Sequence, residues 1–294
     1  MRGAVITALS SPPEVADLDD VDGIRVEAVA LNPLDVNVGS GRFYGGHPPL
    51  PYVPGCEAVG RREDGTAVYL FGEGRGVARD GFLVERVVVP AELPLDLPAG
   101  TDPALAAVAG IAGIAGWVPV AWKAKVGPGD RVLVLGARGA VGQIAVQAAT
   151  LLGAEAVVGA GRSAAPGIVA LDDVADAFGD DGFTVCIDPL WGEPLARVLA
   201  AAARHARIVH VGQSAGPESP LRSADVRGKE LTILGHSNFA MTAEDRNRAY
   251  LELLDHLVAG RIRLELHRFQ LGAVAEAWER QGTGPRGKVV IDLS

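Results

Sequence analysis

The chain has 294 residues, 48% of them hydrophobic, and a net charge of −9. Its length and apolar content exclude a disordered chain and fit one large or two ordinary domains. The acidic balance excludes a general nucleic-acid binder, which needs a basic footprint. Cys56 and Cys186 are the two cysteines, and neither sits in a C-x-x-C pair. That pattern speaks against a zinc lobe or a disulfide framework and for a reducing, cytoplasmic setting. The apolar run at the N-terminus is too short for a signal peptide.

Up to about residue 100 the chain reads as strands broken by Pro and Gly: Ala4–Thr7, Ile24–Ala30, Glu57–Arg61, Ala67–Phe71 and Phe82–Val89. No long helical period interrupts them, so this part is expected to be a compact β domain. Leu105–Trp122 carries no charge and touches the length of a membrane span. It is rich in Ala and Gly and contains Pro119, so a buried helix at a domain junction is the better reading, and no membrane partner is expected. Gly110, Gly113 and Gly116 would admit a neighbouring backbone there.

From residue 103 strands alternate with helices. The strands are Val132–Leu135, Ala156–Gly159, Phe183–Asp188, Arg207–Val211 and Leu231–Leu234. The helices cover about 140–152, 193–205 and 243–259, the last opened by Thr242-Ala-Glu-Asp245, which resembles a capping box. Ile168–Leu171 reads as a short strand and Val174–Phe178 as a short helix. The tail adds strand Arg263–Phe269, helix Leu271–Arg280 and strand Lys288–Leu293, a terminal strand suited to pairing back into the first domain. The expected fold class is α/β, with residues 1–102 and 263–294 forming the β domain and 103–262 a doubly wound parallel sheet.

Arg131–Gly142, R-V-L-V-L-G-A-R-G-A-V-G, carries the chemistry. A β-branched strand leads into Gly136, Gly139 and Gly142 at three-residue spacing, and a helix follows with Val141, Ile144, Ala145 and Ala148 on one face. Strand, glycine turn and helix N-terminus together make an anion site. Glycines let the backbone approach a pyrophosphate, and free N–H groups and the helix dipole stabilise its charge. Gly136, Ala137, Arg138, Gly139, Ala140, Val141 and Gly142 are therefore candidate cofactor residues. A site for NAD has a carboxylate at the next strand end, roughly 20 residues on, to bond the ribose hydroxyls. Here Ala160 and Gly161 stand in that place, and Arg162 and Ser163 follow. A guanidinium in place of a carboxylate suits a 2′-phosphate, so NADPH is expected over NADH, with Gly161, Arg162 and Ser163 at its adenosine end. The alternative for Arg162 is an ordinary solvated loop arginine.

Several segments in order resemble the medium-chain dehydrogenase/reductase superfamily, especially its zinc-independent quinone oxidoreductases. They are A-L-N-P-L-D (Ala30–Asp35), G-R-F-Y-G-G (Gly41–Gly46), P-P-L-P-Y-V-P-G-C-E-A-V-G (Pro48–Gly60) and Val126–Ala149. C-I-D-P-L-W-G (Cys186–Gly192), R-I-V-H-V-G-Q-S-A-G (Arg207–Gly216), L-T-I-L-G-H-S-N (Leu231–Asn238) and G-K-V-V-I (Gly287–Ile291) complete the set. The resemblance implies a GroES-like β domain holding a Rossmann domain, and a homodimer whose candidate edge is Leu231–Phe239. It implies Asn32, Tyr44 and Tyr52 around the nicotinamide and substrate. Asn32 would donate an amide hydrogen bond, and either tyrosine, or His47, would supply the proton; packing is the other role open to Tyr52. Gly212, Gln213 and Ser214 are expected near the nicotinamide ribose because strand ends line the crevice of such sheets. His236, with Ser237 and Asn238, faces the nicotinamide side or the core. Lys288 supports the cofactor or the surface, and Asp188 caps a turn.

The departures bear on chemistry. The zinc-dependent branch resembles G-H-E-x-x-G, where this chain has Gly55-Cys56-Glu57-Ala58-Val59-Gly60. Asn32 replaces that branch's first cysteine ligand, and no cysteine lies near Gly110–Gly116, so three protein ligands are not available and no metal is expected. Ala115 stands where the family often has Thr, and the β domain is short around Arg61–Gly81. The implied activity is hydride transfer from NADPH to a quinone or an α,β-unsaturated carbonyl. An enoyl reductase of a polyketide-type pathway is the second reading, and an NADPH-binding sensor without turnover the third.

Overall fold

The computed structural model describes residues 1–293. The chain forms two compact units: Met1–Ile111 together with the C-terminal stretch from Glu265 onward, and Ala112–Leu264. The first unit therefore extends nine residues past the sequence boundary, through Ile111, for a reason visible at its buried carboxylate below.

The first unit holds β1 (Arg2–Val5), β2 (Glu14–Asp17), β3 (Ile24–Leu31), α1 (Pro33–Gly39), β4 (Glu57–Arg61), β5 (Ala67–Phe71), β6 (Arg86–Val87), β7 (Leu95–Asp96) and α2 (Pro103–Val108). The second contains α3 (Ile114–Val118), β8 (Arg131–Leu135), α4 (Ala140–Leu151), β9 (Ala156–Gly161), β10 (Ile168–Ala170), α5 (Val174–Phe178), β11 (Phe183–Asp188) and α6 (Gly192–Val198). It continues with β12 (Ala202–His210), α7 (Ser223–Gly228), β13 (Thr232–Gly235) and α8 (Ala243–Val258). The chain then returns to the first unit with β14 (Leu266–Gln270), α9 (Val274–Gly282) and β15 (Lys288–Asp292).

β1 and β2 form an antiparallel ribbon, and a seven-stranded sheet runs β14-β15-β3-β4-β5-β7 with β6 beside β3. β15 is buried along its whole length and lies antiparallel to β3, Val290 opposite Ala30. The terminal strand thus returns to the first unit, as its Val-Val-Ile pattern suggests. Val26, Val29, Leu31, Leu70, Phe82 and Ile291 make the core of this GroES-like unit. The second unit's six strands are parallel, in the order β10-β9-β8-β11-β12-β13. This is the 3-2-1-4-5-6 order of a Rossmann sheet, with its switch point beside β8.

β2, β7 and α7 are additions to the sequence reading, and three further elements differ from it for reasons the structure shows. The expected helix 193–205 stops at Val198, and β12 starts at Ala202, opposite Phe183. Alanine favours a helix there, but pairing with β11 outweighs that preference. Of Phe82–Val89 only Arg86–Val87 is a strand, because Phe82 and Leu83 donate instead to the carbonyls of Gly55 and Pro54. α1 follows the Asn32-Pro33 step unpredicted; Pro at a first helical position and Asp35 in the first turn were its signal.

Pro103–Lys123 is long and apolar enough to cross a membrane by length and composition, and 78% of its most apolar window is buried within the protein. Its helical path is broken at Gly110, whose ψ is −126°.

Candidate functional site

In the second unit, β8 ends in the glycine turn. Gly136 adopts φ +61°, the left-handed region open to glycine. A Cβ on Gly142 would lie 2.4 Å from the Gly136 carbonyl oxygen and 2.6 Å from the Ala137 Cα. Only a bare α-carbon lets the first turn of α4 press so closely on the strand–helix turn. Gly139 caps α4, and Gln143 is the first residue whose N–H reaches back to it, at 2.9 Å. The amides of Ala140, Val141 and Gly142 have no acceptor within the helix and present partial positive charge. An anionic pyrophosphate fits that cradle.

The Ala137 N–H donates to the Ala160 carbonyl at 3.2 Å, which ties the turn to the end of β9. Gly161 is buried there, and Arg162 and Ser163 are exposed. The Arg162 guanidinium has no hydrogen-bond or ion-pair partner among the described residues.

At the ends of β11 and β12, Asp188 Oδ1 accepts from the N–H groups of Leu190 and Trp191, both at 2.9 Å, and so caps that turn. Burial pushes the Asp188 carboxyl up. Its Oδ2 is buried 4.0 Å from His210 Nδ1, and the His210 ring lies 4.3 Å from that of Trp191. Sequence reasoning missed His210; only the register that sets it opposite Asp188 discloses it. Ser214 Oγ donates to the Pro189 carbonyl, and Gly212 packs against the same residue. Gln213 lies just past the same strand end, exposed. His236 is buried, its Nε2 2.9 Å from Asn238 Oδ1, and burial holds its pKa down, so the ring is neutral. The exposed Ser237 lies between them in sequence.

The first unit contains a buried polar network. Asn32 Nδ2 donates to the Ala30 carbonyl at 3.1 Å and to Glu57 Oε1 at 2.8 Å, and Asn32 Oδ1 accepts from the Lys288 ammonium. Glu57 Oε2 accepts from Tyr69 Oη at 2.9 Å and from the Ile111 N–H at 2.6 Å. A Cβ on Gly110 would stand 1.8 Å from that carboxylate oxygen, so glycine is required where the chain passes it. This contact holds residues up to Ile111 in the first unit. Asp35 accepts from the N–H groups of Asn32 and Cys56. Burial pushes the Asp35 and Glu57 carboxyls up and the Lys288 ammonium down. Burial and the neighbouring Asp35 hold the Cys56 thiol well up, so it is no thiolate nucleophile.

Two expectations change on this geometry. Asn32 has both amide hydrogens committed inside the unit and none to offer a ligand. Lys288, 2% exposed, lies 3.8 Å from Glu57, so its ammonium is held inside the unit and not at the surface. The buried ammonium also opposes any cation beside Cys56 and Glu57. Among the described residues no three His, Cys, Asp or Glu side chains gather as a metal site.

The tyrosines differ sharply. Tyr52 is 2% exposed with a buried hydroxyl that has no partner among the described residues, while Tyr44 is 86% exposed with its ring 4.5 Å from that of Phe43. Burial raises the Tyr52 pKa, with Asp35 and Cys56 adding to the shift. His47 Nδ1 sits 2.7 Å from the Pro48 carbonyl oxygen. Sequence reasoning did not assemble Asp35, Glu57 and Tyr69 into one network; the Asn-Pro-x-Asp box was its one local signal.

No protein-family model matches the chain. Human quinone oxidoreductase is 27% identical over 293 residues, covering 92% of this chain and 88% of that protein. Among solved structures, an NAD-dependent alcohol dehydrogenase superposes with TM-score 0.85 at 27% identity over 100% of both chains. A quinone oxidoreductase from Thermus thermophilus, a study that includes its NADPH complex, gives TM-score 0.79 at 26% identity over 100% of both.

Proposed function

Because the chain belongs to the medium-chain dehydrogenase/reductase superfamily, in its quinone oxidoreductase-like branch, we propose that it is an NADPH-dependent reductase of quinones or α,β-unsaturated carbonyls that works without a metal. It is an oxidoreductase with a nicotinamide cofactor. The observation that carries the finer reading is the free Arg162 guanidinium at the end of β9, where a cofactor lacking the 2′-phosphate would require a carboxylate. The likeness to an enzyme whose study includes an NADPH complex supports it.

The bound nicotinamide would supply hydride to a conjugated acceptor, whose oxygen gathers negative charge. The chain's own part begins with the α4 amides, which would hold the pyrophosphate. The turn capped by Asp188 and closed by Ser214 gives a stiff strand end for the ribose. Tyr44, with its free hydroxyl, is the proton donor to the reduced acceptor. Tyr52 and Asn32 act from within the unit: Tyr52 packs, and Asn32 bridges Glu57 and Lys288. A conjugated acceptor is already electrophilic, so no Lewis acid is required.

The test is the loss of NADPH absorbance with quinones, enones and enoyl thioesters, with NADH in parallel. Turnover of quinones or simple enones with NADPH is expected. Turnover confined to enoyl thioesters would favour the biosynthetic reading, and binding without turnover would make the protein a sensor. We further propose a homodimer through β13, an edge strand with Thr232, Ile233 and Gly235 exposed.

A further inference from the structure

Arg138 stands in the glycine turn itself, exposed, and its guanidinium, like that of Arg162, has no partner among the described residues. Most other arginines of this unit are engaged: Arg131 donates to the Asp181 and Gly182 carbonyls, and Arg207 to Ala124 and Asp130, while Arg227, which also lacks a partner among the described residues, lies on α7, outside the glycine turn and the β9 end. We propose that Arg138 joins Arg162 in gripping the 2′-phosphate of the nucleotide, and that this end of the site reads the phosphate and not the base. The inference rests on the NADPH reading above.

Three observations carry it. The first is proximity. The hydrogen bond from Ala137 to Ala160 joins the residue before Arg138 to a residue two before Arg162. The second is charge. Residues 136–142 and 160–167 contain two arginines and no Asp or Glu, in a chain whose net charge is −9. Two unpaired guanidiniums on adjoining loops, with no carboxylate in either, suit a dianion held by forked hydrogen bonds.

The third is the connection between β9 and β10. Gly161 ends β9 and Ile168 begins β10, and the two strands are parallel, so a six-residue link makes the crossover. Parallel neighbours ordinarily need a dozen or more residues and a helix. This link, Arg-Ser-Ala-Ala-Pro-Gly, has no helix, no aromatic ring and no long apolar side chain, and Ser163, Ala164, Pro166 and Gly167 are exposed. It offers charge and one hydroxyl to the nucleotide and nothing to clasp a purine ring.

The experiment is calorimetric binding of adenosine 2′,5′-bisphosphate, inosine 2′,5′-bisphosphate and adenosine 5′-monophosphate to the full chain. Arg138→Ala, Arg162→Ala and, as a control, Arg204→Ala are measured alongside, with folding followed by circular dichroism. Adenosine 2′,5′-bisphosphate should bind the parent at least about tenfold more tightly than the monophosphate, and rising salt should shrink that ratio. Arg138→Ala and Arg162→Ala should each weaken it by about tenfold or more and leave the monophosphate unchanged. Arg204→Ala should change neither. The inosine bisphosphate should match the adenosine compound within about threefold, because the base makes no specific bond. An Arg138→Ala variant with parental affinity overturns the arginine pair, and a purine exchange costing more than about tenfold overturns base tolerance. Equal binding of bisphosphate and monophosphate by the parent, or no binding of either, would bring down the NADPH reading itself.

Discussion

Lys288→Met removes the one cation from the buried network and leaves Glu57 and Asp35 without it. At the observed 3.8 Å from Glu57, and with an effective dielectric of about 20, Coulomb's law gives about 4 kcal/mol. Breaking a buried pair by deleting one partner typically costs about 3–5 kcal/mol, so the two figures agree. The carboxyl has an escape by taking up a proton. Glu57 already has a raised pKa in the folded protein, and losing Lys288 raises it further. A carboxyl raised on folding binds more protons folded than unfolded, so its contribution to stability falls as pH rises above the unfolded value. The deficit of Lys288→Met should therefore be largest near pH 8 and smaller near pH 5.5. Urea unfolding followed by circular dichroism, at both pH values, reads it directly. The double variant Lys288→Met/Glu57→Gln should recover at least half of the loss, because no orphaned carboxylate then remains at position 57. A Lys288→Met variant as stable as the parent near pH 8, or one whose deficit grows on acidification, would refute this reasoning.

Tyr44→Phe should lower enone turnover by about a hundredfold or more, the scale of a lost general acid. Tyr52→Phe should retain turnover and raise stability by about 1 kcal/mol, since its hydroxyl is buried without a partner. Equal effects of the two on steady-state rates would undo the assignment of Tyr44. Gly142→Ala drives a methyl group into the Gly136 carbonyl, so it should cost about 1–3 kcal/mol and abolish the rise in melting temperature that NADPH gives the parent. A variant still stabilised by NADPH would show that the cradle tolerates the methyl. Light scattering at micromolar concentration should give twice the 30.4 kDa chain mass, whereas a monomer would remove the β13 interface.

The glycine turn was legible because its logic is local: strand, turn and helix follow one another from Arg131 to Leu151. β4, β5, β11 and α5 match their sequence bounds because each is a short apolar run between clear turn signals. The helix expected over 193–205 went wrong where a strand partner distant in sequence decided the matter. The polar network is non-local to a greater degree, since 256 residues separate Lys288 from Asn32. Nothing in Gly-Lys-Val-Val-Ile says that its lysine enters the core, and family likeness left that residue between the cofactor and the surface. The two tyrosines looked alike in sequence, both in Pro- or Gly-rich loops, and only burial separates them.

The central claim is that reduced nicotinamide gives hydride to a conjugated acceptor on this chain. Stopped-flow oxidation of NADPH, deuterated at either face of nicotinamide C4, tests it most directly with quinone and enone acceptors and a chelator present. The account predicts nucleotide oxidation that matches acceptor reduction and is slowed by deuterium on one face alone. Nucleotide that binds but stays reduced with every acceptor would contradict it.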